Sequence, residues 1–218
     1  MFSTIILDFD GVILESVSVK TDAFRELFSS EPDHVGEIVE FHIKNGGMSR
    51  FDKFRYIYAH ILHRELTDAQ FRQLSDRFAG LVFENVIKTP FVPGAHEFLQ
   101  ANYRRFPLYV VSATPEDELL EIVEKRGLSG FFRGVFGAPK KKTDHIRQIL
   151  ATTGSRNADT VFIGDAINDF RAAEAAGIRF IGRVRPGDQD CFTGNPAVEH
   201  TISTLFELDR IISTENGA

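Results

Sequence analysis

Tryptophan is absent from this chain, and cysteine occurs once, as Cys191. A single cysteine excludes a disulfide framework within one chain and fits a reducing compartment, so a cytoplasmic location is expected. Cys191 lies in the polar stretch DQDCFTGN with no histidine adjacent in sequence, and it reads as incidental rather than as a catalytic thiol. Long apolar runs are missing too. None approaches the roughly 18 residues that would suggest a membrane span. The opening MFSTIILDFDGV has no basic region ahead of its apolar stretch, so it reads as a strand and not as a signal peptide. A basic excess is also lacking: 25 Lys and Arg stand against 31 Asp and Glu, a formal net charge of −6. That argues against broad nucleic-acid binding, which needs a basic face to neutralise backbone phosphates. A small anionic substrate stays compatible, because a local pocket can be positive on an acidic protein. There is no internal repeat and no low-complexity tract.

What is present suits a folded enzyme-sized unit. Hydrophobic residues make up 43% of the 218, and the 21 phenylalanines must fill much of the core. The length fits one large domain or a core with a smaller insert. The run STIILDFDGV is apolar and ends in Asp-Phe-Asp-Gly, the pattern of a buried parallel strand. The same design recurs at PLYVVSAT (107–114) and DTVFIGDA (159–166), with weaker candidates at 133–138 and 178–184. Helical stretches separate them. Pro115 fits the first position of one, with Gly127 past its end, and Gly177 stops another. Thr143 is a plausible N-cap for TDHIRQILATTG. Strands alternating with helices imply a doubly wound, Rossmann-like α/β sheet.

Residues 16–88 break that rhythm and read as a helical unit of their own. SVKTDAFRELF is helical in period, and SRFDKFRYIYAHILHRE brings Phe51, Phe54, Tyr58, Ile61 and Leu62 near one face. Thr67 and Gln70 form a capping-box pattern opening the next helix. TPFVPG then reads as a hinge returning to the α/β part. The expected organisation is a core of residues 1–15 and 89–218 with a cap of residues 16–88. The closing STENGA reads as frayed.

Four places carry polar groups at the carboxyl end of a candidate strand, where open α/β sheets bind ligands. Asp8 and Asp10 sit two apart at a strand end, so a turn can aim both into one site, one as nucleophile and the other as general acid/base. Ser112 ends a strand, and with the following amides at a helix start it can bind phosphate oxygens, although Ser112 and Thr114 also fit as plain helix caps. Of Lys140, Lys141 and Lys142, two belong to a solvated loop. Lys142, beside the helix start, is the candidate to neutralise a carboxylate and a phosphate. Asp165 ends a buried strand and Asp169 follows four residues on. Both can face one hard cation such as magnesium, and Asp169 also fits as a helix N-terminal charge.

In order and spacing, DFDGVILES, VVSAT, the lysine of PKKKTDHI and VFIGDAINDFRAAEAAG resemble the haloacid dehalogenase superfamily of phosphohydrolases. More narrowly, they resemble its phosphoglycolate phosphatase and β-phosphoglucomutase-like branch with a helical cap. The resemblance implies Asp8 as nucleophile and magnesium ligand, and Asp10 as general acid/base with its backbone carbonyl on the metal. It implies Ser112 and Lys142 on the phosphoryl group, and Asp165 completing the metal site with Asp169 close by. Gly11, Ala113 and Thr114 would join the substrate contacts. The implied activity is magnesium-dependent hydrolysis of a small phosphate monoester, with a sugar phosphate or a phosphoglycolate-like metabolite as substrate.

A cap in such a family supplies discrimination. Lys20, after the first hinge, and Arg50, after Gly46-Gly47, are the expected substrate donors. The competing reading of Arg50 is an exposed residue behind an N-capping Ser49. His60 and His63 have metal-compatible spacing but no evident third ligand, and with His42 they read as surface or satisfied helix residues. Hexose-phosphate mutases of this branch usually carry a histidine where Lys20 stands, which disfavours a mutase. Asp10 disfavours a dehalogenase. A cap lysine (Lys20, Lys44 or Lys53) keeps a phosphonate hydrolase formally open, and a non-catalytic phosphometabolite binder is the reading from another class.

Overall fold

The computed structural model describes residues 1–215 and 217. Its sheet grows from the apolar runs. Strand β1 (Thr4–Leu7) is buried along its whole length, which suits a strand covered on both faces. Strands β2 (Leu108–Pro115), β3 (Gly134–Ala138), β4 (Thr160–Gly164), β5 (Arg179–Arg183) and β6 (His200–Ile202) complete a six-stranded sheet in the order β3-β2-β1-β4-β5-β6, with every pairing parallel. The alternation of β1 splits the core in two. Ile5 and Leu7 join one apolar cluster, and Ile6 joins another with Val111, Phe162 and Phe170. β1 sits between β2 and β4, so the chain order reverses there and leaves a crevice beyond the carboxyl ends of these three strands.

Between β1 and β2 the chain is helical. Helices α1 (Val17–Leu27), α2 (Val35–Lys44), α3 (Arg50–Tyr56) and α4 (Asp68–Lys88) precede α5 (Ala95–Asn102). Phe24, Phe54 and Phe78, one each from α1, α3 and α4, meet with ring centroids 4.9–6.1 Å apart. These rings form the insert's own centre, and burying such side chains contributes roughly 2–3 kcal/mol each. The capping box at Thr67 and Gln70 opens α4 as the sequence predicts. The SRFDKF run is not one α-helix: α3 passes into a π-helical turn over Ile57–Ile61. That extra residue per turn still buries Phe54, Ile57, Ile61 and Leu62. The insert leaves and rejoins the core at one place, where Glu15 N donates to Pro90 O and Val92 N to Ile13 O.

The remaining helices flank the sheet: α6 (Glu116–Lys125), α7 (Lys142–Thr153), α8 (Ile167–Ala176) and α9 (Leu205–Glu215). Several local expectations shift. Pro115 ends β2 and is the N-cap of α6, one position before its predicted place. Thr143 lies inside α7, whose N-cap is Lys141, so the helix starts early enough to carry Lys142 on its first turn. Ser213, Thr214 and Glu215 continue α9 instead of fraying, while Asn216 and Ala218 of the same stretch lie outside the described residues. Among the described residues, no helix is long and apolar enough to cross a membrane.

Candidate active site

The crevice at the reversal point collects the residues singled out at strand ends. Asp8 follows β1 directly and is 3% exposed. One of its carboxylate oxygens accepts from Phe9 N at 2.7 Å, and the other faces Lys142 Nζ at 2.9 Å. Lys142 reaches across from the first turn of α7 and also donates to Asp169 Oδ1 at 2.6 Å. Lys140 and Lys141 are exposed, so Lys142 is the lysine of the three that the fold brings to the carboxylates. Asp169 uses its second oxygen to accept from Ala166 N at 3.1 Å, so it caps α8 and holds Lys142 at once.

Carboxylate oxygens of Asp8, Asp165 and Asp169 all lie within 4.8 Å of one another. Burial raises the Asp8 carboxyl from 3.8 to about 7. Lys142 works against that rise, and the neighbouring acids add to it. Asp165 is also pushed well above the ordinary carboxylate range, by burial first and then by Asp169 and Asp8. One lysine does not neutralise three acids, so the cluster suits a hard divalent cation held by Asp8 and Asp165, with the Asp10 carbonyl nearby in sequence. Both Asp169 oxygens are committed to protein donors, which favours a part for Asp169 behind the ligands rather than among them.

Gly11 explains how the acids come so close. Its φ is +73°, and a Cβ there would stand 2.1 Å from Asp165 Oδ2. The turn after Asp10 therefore needs both the left-handed backbone and the missing side chain.

Asp10 sits at the mouth of the crevice in a ring of donors. Ser16 Oγ donates to one oxygen at 2.5 Å. Lys20 Nζ and Thr114 Oγ1 reach the other, at 2.5 Å and 3.0 Å. Burial opposes ionisation, but the Lys20 charge and the three hydrogen bonds outweigh it and hold Asp10 below its ordinary value. Lys20 is thus placed on Asp10 and Thr114 in this structure, not free in the cavity as a substrate donor. Ser112 is buried inside β2, and its Oγ accepts from Thr114 N at 3.1 Å, which leaves the hydroxyl proton for another acceptor; neither Ser112 nor Thr114 caps α6, whose N-cap is Pro115.

A cavity of about 130 Å³ lies between these residues and the helical insert. Asp8, Asp10, Lys20, Ser112, Ala113, Thr114 and Asp165 line the sheet side and the first hinge, and Gly46, Gly47, Arg50 and Lys53 line the insert side. Ser49 does cap α3, by accepting from Asp52 N. Arg50 is nevertheless not exposed. It is 6% accessible, its Nη2 lies 2.7 Å from each Glu118 oxygen, and its guanidinium covers the Phe78 ring. His60 and His63 are exposed, whereas His42 is buried against Lys53.

Sequence reasoning named Lys53 only as one of three cap lysines open to a phosphonate hydrolase and His42 only as a surface or satisfied helix residue, and it missed Glu118. Glu118 carried no signal, since its partner lies 68 residues away. Asn168 also escaped notice: its amide donates to Gly46 O at 2.7 Å and ties the Gly-Gly loop to the edge of the acid cluster.

The phosphoglycolate phosphatase of Pseudomonas putida is 24% identical over 186 residues, covering 82% of this chain and 68% of that protein. Phosphoglycolate phosphatase 1 of Pseudomonas aeruginosa is 25% identical over 183 residues, covering 80% of this chain and 66% of that one. The chain thus spans about two thirds of the length of these relatives. A β-phosphoglucomutase from Clostridium difficile has the same fold, with a TM-score of 0.76 at 16% identity, covering all of this chain and 98% of the other. The model of the haloacid dehalogenase-like hydrolases matches residues 2–177, the span from β1 through α8 that carries every group of the acid cluster, and the chain belongs to that family.

Proposed function

We propose that this hydrolase is a magnesium-dependent phosphatase that cleaves a small phosphate monoester through an aspartyl-phosphate on Asp8. The observation that carries the reading is the Asp8–Lys142–Asp169 arrangement beside Asp165. It is a buried carboxylate whose charge is balanced from one side by a lysine and left open toward a cavity on the other. The names of the two Pseudomonas relatives support a phosphate ester as the substrate.

Asp8, Asp165 and the Asp10 carbonyl would hold the magnesium ion, which supplies charge neutralisation to the phosphoryl oxygens when bound. The chain's own residues do the rest. An oxygen of Asp8 forms a bond to phosphorus while the bond to the leaving oxygen breaks, and Asp10 delivers a proton to that oxygen. Lys142 holds Asp8 in place and offers a positive charge to the phosphoryl group. The Ser112 hydroxyl donates to one of its oxygens. In the second half, the Asp10 carboxylate takes a proton from water as the water attacks phosphorus, and Asp8 is released as a carboxylate. The donors around Asp10 favour its ionised form, which is the form that this second step requires and the opposite of the protonated form from which the first step starts.

The test is turnover of 4-nitrophenyl phosphate with magnesium and with excess chelator, together with mass spectrometry of the quenched enzyme. Expected are magnesium-dependent turnover and a phosphate on residue 8. Full activity in chelator, or turnover without any modification of Asp8, contradicts the mechanism. Absence of turnover across a library of phosphate esters would favour the non-catalytic binder.

A further inference from the structure

The insert side of the cavity holds a cation unlike its neighbours. Lys20 is paired with Asp10, Arg50 with Glu118, and Lys142 with Asp8 and Asp169. Lys53 also lines the cavity and is 4% exposed, yet among the described residues no carboxylate pairs with it. Its Nζ meets His42 Nδ1 at 3.0 Å and the His42 carbonyl at 3.1 Å. An ammonium has three N–H donors, so one is left for an acceptor that enters the cavity.

His42 is built to brace that amine. Its ring stacks on Phe24 with centroids 4.2 Å apart, which fixes its orientation. Burial, then the charges of Lys53 and Lys20, push its pKa down to about 2, so the imidazole is neutral and Nδ1 accepts. Burial and Lys20 also push Lys53 down to about 7, while Asp165 and Asp10 pull it up and Lys142 adds to the depression. A buried amine without a counterion is costly to keep charged, and an anion placed beside it removes that cost.

The residues that handle the phosphoryl group lie on the sheet side, so the leaving group faces the insert. On that phosphatase reading, we propose that Lys53, braced by His42, is the specificity-determining residue of the insert and pairs with a carboxylate on the leaving group of a small phosphate ester.

The test uses a matched pair of substrates, 2-phosphoglycolate and 2-hydroxyethyl phosphate, which differ in carrying a carboxylate or an alcohol at the same place. 4-Nitrophenyl phosphate serves as the measure of the core chemistry. The wild-type enzyme is expected to prefer 2-phosphoglycolate in kcat/KM by about 10-fold or more, as one charge-assisted contact allows. Lys53→Met should erase that preference by raising KM for 2-phosphoglycolate far more than for either of the other two substrates, and Lys53→Gln should do the same while keeping a polar donor. Equal losses on all three substrates would make Lys53 a packing residue and overturn the proposal. So would a wild-type enzyme that does not distinguish the matched pair, a result that needs no variant to fold. Failure of all three substrates, 4-nitrophenyl phosphate included, would strike the phosphatase reading itself, whereas turnover of 4-nitrophenyl phosphate without carboxylate preference would strike this inference alone.

Discussion

A buried carboxylate with Lys142 on one oxygen, the Phe9 amide on the other and a cavity beside it has the setting that the proposed nucleophile requires. Asp8→Asn keeps the shape and removes the attacking charge. Turnover is expected to fall by about a thousandfold or more, with far-UV circular dichroism unchanged. Asp10→Asn should instead slow both formation and hydrolysis of the phosphoenzyme, since it removes the proton donor and the base together. A normal burst followed by normal turnover would make Asp10 structural. These acids were legible in the sequence because each ends a strand whose apolar run announces it. Lys142 was legible because α7 begins beside it. The partners that tune them were less so. Lys20 stands after Asp10 in the chain, but that its amine would settle on Asp10 rather than on a substrate follows only from Thr114 lying across the sheet.

The pair between α3 and α6 was hidden from any local reading, because helical periodicity says which face is buried and not what it meets. Arg50 was expected to be a free donor. The structure gives it a carboxylate partner and an aromatic face, so its first effect concerns the joint between insert and core. Breaking a buried ion pair leaves one charge uncompensated, so Arg50→Ala and Glu118→Ala should each destabilise by about 3 kcal/mol. The double substitution should cost little more than either alone. Urea denaturation of the four proteins measures this, and simple additivity would show that the two side chains do not depend on each other. Strand β6 and helices α2, α5 and α9 also went unread. β6 is a three-residue edge with its first two residues exposed, too short to show any period.

The acid cluster sets how the whole protein responds to cations and pH. A carboxyl raised from 3.8 to about 7 binds its proton more tightly in the native state than in the unfolded one. In chelator, stability should therefore fall as pH climbs from about 4 toward 7, because ionising the native acids then costs energy. Magnesium should reverse this by binding the native state alone, adding about 2.7 kcal/mol at a hundredfold excess over Kd. Asp165→Asn should raise the melting temperature in chelator and abolish the upward shift with magnesium. Thermal melts at pH 5 and pH 7.5, with and without the ion, check all of these signs, and an Asp165→Asn protein still stabilised by magnesium would place the ion elsewhere.

The single doorway between insert and core has a consequence for how the chain folds. Ile5 pairs with Leu108, far along the sequence, and closing so long a loop slows the first sheet contact. When the insert is already folded, Glu15 and Pro90 stand together, and the same two strands are separated by only a short effective connection. The helices between them then act as a molecular splint that presents β2 to β1. Phe54→Ala, which loosens the insert's aromatic centre far from the sheet, is expected to lower the refolding rate of the entire protein and not merely to hasten its unfolding. Stopped-flow chevrons report the partition: a folding φ-value near 0.5 or above fits an early insert, and one near zero means that the sheet closes its long loop unaided.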